Sequence, residues 1–73
     1  MDFDDIRIGD IVNLKTNIMR RRDLSNCLVV DKVNNPSGGY VGMFLLQGQS
    51  RARMYIPWNM VIEVDVVGFK EVL

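Results

Sequence analysis

Three consecutive arginines, Arg20-Arg21-Arg22, are the densest charge in the sequence. Guanidinium groups hold carboxylates and phosphates through paired hydrogen bonds. Three on one loop therefore suit an anionic partner, either a phosphate backbone or an acidic protein surface. The plainer reading is a solvated loop in which Asp23 neutralises one charge. Arg51 and Arg53 repeat the theme, and Tyr55 follows in the same alternation. On an extended strand these three side chains share one face, two cations beside a ring able to stack on a base. If the first loop folds over that face, five arginines converge. Trp58 follows Pro57 in a turn, where a tryptophan either lids a core or anchors a partner. A chain this small has few large residues to close its core, which favours the lid.

Other chemistry is excluded by absence. The sequence has no histidine, which removes Ser-His and Cys-His catalysis and every His-containing metal site. Cys27 is the one cysteine, so no disulfide forms within the chain, and a reducing compartment fits better than an extracellular one. With no base partner, Cys27 reads as a small hydrophobe in a strand. Asp2, Asp4, Asp5 and Asp10 make the N-terminal arm, residues 1–5, and its flank acidic. Their spacing matches no calcium loop, which needs a run of about 12 residues centred on glycine. They are expected to be solvated charges, and neither a metal nor a cofactor is expected.

The elements that must position these residues are short. All 73 residues fit one domain, 1–73, and 48% hydrophobic with 25% charged residues is a folding composition. Nine basic and nine acidic residues cancel, which argues against a general nucleic-acid binder and leaves little colloidal protection. A partner or larger assembly is the expected setting. The N-terminus is acidic where a signal peptide is basic, so a cytoplasmic location is expected. The longest apolar run, Tyr40 to Leu46, is far short of the roughly 20 residues of a spanning helix, so no membrane is expected.

Turn signals at 34–39 and 48–50 separate segments rich in Val, Ile, Leu and Met, with no long 3.6-residue periodicity. Five strands are predicted, near 10–15, 27–33, 40–47, 51–56 and 61–66. In the fourth, Ala52, Met54 and Ile56 face inward, opposite Arg51, Arg53 and Tyr55. In the fifth, Ile62 and Val64 oppose Glu63 and Asp65. Pro57-Trp58-Asn59 breaks the last two strands with a short 3₁₀ turn. Tyr40, Phe44 and Phe69 read as core or interface residues. Phe44, Leu45 and Leu46 point to both faces of their strand, so the outer face needs a cover from a loop, the apolar C-terminal extension 66–73, or another chain. That extension is able to add an edge strand to its own sheet or to a neighbour. Strands this short are expected to curl into an all-β, five-stranded small barrel.

Two motifs carry a resemblance. Ile6 to Leu14 resembles the x-x-G-D-x-V-x-L opening of small bacterial, phage and ribosome-associated SH3-like barrels. Ile56-Pro57-Trp58-Asn59-Met60-Val61 resembles the I-P-x-N-Y-V turn before the last strand of eukaryotic SH3 domains. The order of loops, long, medium, tight and one-turn, matches the same family. The resemblance implies an SH3-like barrel with its 3₁₀ turn before the last strand. It does not extend to the proline-peptide groove, because the aromatic-rich first strand and the tryptophan pair are missing and Met60 stands where the groove tyrosine would be. Asn26-Cys27 likewise replaces the glycine that opens the second strand of the KOW type. The nearest likeness is to short SH3-like proteins of tailed bacteriophages, some of them virion components.

The expected function is a non-enzymatic protein-interaction module, a structural or accessory subunit of a larger assembly such as a phage virion. Its contacts with a protein partner or a second copy would come from Arg20, Arg21, Arg22, Arg51, Arg53, Tyr55, Trp58 and Phe69. The alternative is a nucleic-acid-binding barrel of KOW type in transcription or translation control, with the five arginines on phosphates and Tyr55 stacking a base. An enzyme is disfavoured, because no nucleophile has a base.

Overall fold

The computed structural model describes residues 1–72, which leaves Leu73, the end of the C-terminal extension, outside the described residues. Alternating apolar and polar positions become five strands: β1 (Asp10–Thr16), β2 (Arg22–Asn35), β3 (Tyr40–Gln47), β4 (Met54–Pro57) and β5 (Val61–Phe69). They form one antiparallel sheet in the order β4-β3-β2-β1-β5. Three 3₁₀ turns, Phe3–Asp5, Pro36–Gly38 and Trp58–Met60, are the only helical segments among the described residues. The protein is all-β.

The long strand β2 organises the sheet. Its residues 22–28 pair with β1 and its residues 27–35 pair with β3. Opposite β1 it bulges between Leu24 and Cys27, where Asn26 takes φ 53° and its N–H donates to the Asn13 side-chain oxygen at 2.9 Å. A second register shift follows Val29. Bulges bend and twist a strand, and this one curls the sheet around Ile6, Val12, Leu14, Leu24, Cys27, Val29, Met43, Leu45 and Ile56.

The sheet does not close into a barrel. β4 pairs only with β3 and β5 only with β1, so both remain edges. Proline lacks the N–H a ladder needs, and Pro57 ends β4 after four residues. The chain then turns through Trp58–Met60 before the nine-residue β5 begins. β4 is too short to lie alongside β5. The N-terminal arm and Trp58 cover the gap instead: Phe3 and Ile6 are buried, and Trp58 packs on the core.

Several boundaries differ from the sequence expectation. β2 starts at Arg22, because the buried Thr16 hydroxyl donates to the Arg22 carbonyl at 2.9 Å and extends the first hairpin. β4 starts at Met54, and Ala52 is exposed. There the turn runs on past Gly48 (φ 59°), with Ser50 N–H on the Gln47 carbonyl and Ala52 N–H on the Ser50 hydroxyl, so Arg51 to Arg53 join no ladder. In β5 a register shift between Val61 and Glu63 turns Ile62 outward, while Val64 and Val66 face the core. Residues 66–69 of the C-terminal extension continue β5 and pair with β1 of the same chain. The acidic arm is not merely solvated: Phe3–Asp5 is a 3₁₀ turn in which the Asp2 N–H donates to the Asp5 carboxylate at 2.9 Å.

The Gly9-Asp10 opening has a local cause. Arg7 to Asp10 form a turn, with Asp10 N–H on the Arg7 carbonyl at 3.0 Å and Arg7 N–H on the Asp10 carboxylate at 2.8 Å. Gly9 takes φ 102°, which only glycine adopts freely. It donates to the Val29 carbonyl at 2.8 Å and accepts from Lys70 N–H at 2.7 Å, joining β2 to the end of β5. A methyl group on Gly9 would sit 2.6 Å from the Phe69 ring.

Candidate functional site

An apolar groove of about 690 Å³ opens where the β2–β3 turn, the start of β3 and the end of β4 meet the Trp58–Met60 turn. Pro36, Gly39, Tyr40, Val41, Tyr55, Pro57, Trp58, Asn59 and Met60 line it, and none of these side chains is charged. Tyr40 is 61% exposed and Met60 40%. Each wall has an evident cause. Gly39, at φ 76°, ends the 3₁₀ turn and delivers Tyr40 to the mouth of the groove as the first residue of β3. Gly42 lets the Tyr55 ring lie flat across β3, because a methyl there would stand 2.6 Å from the Tyr55 hydroxyl and 2.5 Å from the Ile56 carbonyl. Tyr55 also packs on Phe44, ring centres 5.1 Å apart at a tilt of 52°.

Trp58 has two roles at once. It lines the groove, and it meets the Phe3 ring edge to face at 5.5 Å. The arm behind it is held by Lys32, whose ammonium donates to the Phe3 and Ile6 carbonyls at 2.9 and 2.6 Å and lies 4.3 Å from the Phe3 ring centre. Such edge-to-face ring contacts and charge-assisted bonds fix geometry more firmly than area burial does.

The arginines are placed as two groups. Arg20 and Arg21 lie in the turn after β1, whereas Arg22 begins β2; all three are exposed. Met19 and Arg20 take φ 51° and 79°, a left-handed pair at the tip of the hairpin. Arg21 pairs with Asp23 at 3.5 Å. The Asn17 N–H donates to the Met60 carbonyl at 2.8 Å, tying this turn to the residue before β5. Arg51 and Arg53, also exposed, precede the N-terminal end of β4. The two groups sit on separate elements, the β1–β2 hairpin and the segment before β4, and Tyr55 lines the groove. Phe69 is 56% exposed, lies over Gly9 and carries the Arg7 guanidinium 5.1 Å from its ring centre.

Of the lining residues the sequence reading assigned only Tyr55 and Trp58 to a partner; Pro36, Gly39, Tyr40, Val41, Pro57, Asn59 and Met60 it did not. Tyr40 was readable in part: it directly follows Gly38-Gly39, and the first residue of a strand beyond a turn has few neighbours to bury it. Met60 carried a partial signal, since it stands in the turn where the groove tyrosine of SH3 domains would be, and that departure read as loss of a groove.

Cys27 is fully buried, with its thiol donating to the Ser25 carbonyl at 3.7 Å. Burial pushes its pKa up, and Arg22 opposes this more weakly. The thiol stays protonated and poorly nucleophilic. Among the described residues no group of three His, Cys, Asp or Glu side chains is placed to hold a metal, and no helix is long and apolar enough to cross a membrane. No family model, no curated protein and no solved structure matches the chain.

Proposed function

We propose that this chain is a non-enzymatic protein-interaction module that binds an extended, uncharged segment of a partner protein in the Tyr40–Tyr55–Trp58–Met60 groove. The observation that carries the reading is the groove itself: exposed aromatic and apolar walls with no charged side chain. Phosphates have nothing to bind there, whereas a proline-rich or apolar backbone stacks well on tyrosine, tryptophan and proline surfaces. An SH3-like reading of the fold is supported by the strand order and by the 3₁₀ turn between β4 and β5. The likeness of the Gly9-Asp10 opening to short phage-encoded proteins supports a role as an accessory or structural subunit of a phage particle.

The test is an amide chemical-shift titration with a proline-rich peptide. Saturable shifts at Tyr40, Tyr55, Trp58 and Met60, abolished by Tyr40→Ala with Met60→Glu, support the reading. The nucleic-acid alternative rests on the exposed Arg20, Arg21, Arg22, Arg51 and Arg53. It wins if single-stranded RNA shifts both arginine segments with an affinity that falls steeply with salt, while the peptide shifts nothing.

A further inference from the structure

We infer that the N-terminal arm is a working part of the groove: Phe3, clamped by Lys32, positions the Trp58 ring as a groove wall, and a bound partner in turn holds the arm down. This inference rests on the groove being a peptide site. Trp58 stands between two hollows. On one side is the groove. On the other is a smaller hollow of about 300 Å³ lined by Met1, Trp58, Val61, Ile62, Glu63 and Val64. The tryptophan is only half-buried, in a three-residue turn with no side-chain cap. With space on both sides, the ring must be fixed by its neighbours. Phe3 is the aromatic one: it is buried, and its ring meets Trp58 edge to face at 5.5 Å and 61°. Removing that ring leaves a void into which the indole can turn, out of the groove wall.

No residue of the arm lines the groove among the described residues. The arm therefore supports Trp58 without competing for the partner. Segment 1–6 precedes β1 and makes no backbone hydrogen bond to the sheet among the described residues. It is held by the burial of Phe3 and Ile6 and by Lys32, which donates to both their carbonyls at 2.9 and 2.6 Å. The clamp is rooted beside the groove: Lys32 lies opposite Met43, and Met43 opposite Ile56, the residue before Pro57. A segment outside the ladder opens at lower cost than a strand, so the arm can undock while the sheet stays folded. Docked, it presents the partner with a ring already in place, which lowers the ordering cost of binding. By linkage, a partner that favours the placed ring favours the docked arm by the same factor.

The experiment reads both directions of this coupling with a proline-leucine peptide. The Asp5 and Ile6 amides donate to the Asp2 and Phe3 carbonyls within the arm, so their hydrogen exchange reports its opening. In the native chain, saturating peptide is expected to slow that exchange about tenfold. Phe3→Leu keeps an apolar group in the buried place and removes the ring edge, and Lys32→Met removes the clamp. Each is expected to bind the peptide about tenfold more weakly, with unmoved Leu45 resonances showing an intact core. Native affinity in both variants, or arm exchange untouched by the peptide, overturns the inference and leaves the groove reading standing. Where a variant fails to fold, the exchange measurement on the native chain decides. Absence of peptide binding by the native chain overturns both.

Discussion

Gly42 shows how one missing side chain shapes the surface. A methyl there would press on the Ile56 carbonyl and on the Tyr55 ring, both within 2.7 Å. Backbone cannot yield, so Gly42→Ala is expected to cost about 1–3 kcal/mol in denaturant unfolding and to tilt Tyr55 out of the groove wall, weakening peptide binding. Cys27 gives a second residue-scale prediction. Its thiol holds a proton more tightly in the folded chain than in the unfolded one. On raising pH the unfolded chain loses its proton first. Stability is therefore whole below the ordinary thiol range and falls as pH climbs through that range toward the raised folded value. Unfolding curves from pH 7 to 10 are expected to show this slope in the native sequence, and a shallower one in Cys27→Ala. Alkylation of Cys27 should proceed only through unfolding, since the side chain is fully buried.

At the scale of elements, the N-terminal arm matters more than its charge suggests. Phe3 and Ile6 are buried where β4 and β5 fail to meet, and Lys32 clamps both their carbonyls. Replacing Lys32 with Met removes the charged donor that holds two carbonyls. The expected loss is about 1–3 kcal/mol. Trp58 emission is expected to shift to the red as Phe3 leaves its ring, and a change in melting temperature without that spectral shift would mean the arm stays docked. β4 and β5 contrast as edges. β4 is short and ends at Pro57, and β5 carries register shifts near Ile62 and Val67 along with Glu63 and Asp65. Short length, proline, bulges and charge all discourage edge-to-edge aggregation.

For the whole molecule, the core is small enough that single contacts weigh heavily. A domain of this length has a net stability of roughly 4–11 kcal/mol. Leu45 is fully buried at the centre of β3, and Leu45→Ala is expected to cost about 2–5 kcal/mol. That predicts a fall in melting temperature of roughly 10–30 °C, readable by calorimetry. Charge is balanced over the chain yet unevenly spread: no charged side chain lines the groove. Partner binding to that groove is expected to keep most of its affinity as salt rises, readable in a salt titration of peptide binding.

The sequence by itself determined that the chain is all-β, with β3 bounded as predicted and a 3₁₀ turn after Pro57. Those features are local: alternation has a period of two, and glycine and proline punctuate it. Gly9-Asp10 was legible only as a resemblance; the turn it closes within four residues is shown by the structure. The tertiary structure alone decided the rest. Whether the sheet closes depends on the lengths of β4 and β5 relative to each other. Whether five arginines meet depends on where the β1–β2 hairpin lies relative to the segment before β4, and the sheet order β4-β3-β2-β1-β5 sets that. The extra residues in β2 and β5 that shift the register are invisible to a period-two pattern, yet they turned Ile62 outward. The groove is the clearest case. Tyr40, Tyr55, Trp58 and Met60 come from three separate elements, and no spacing along a chain encodes a surface made by bringing them together.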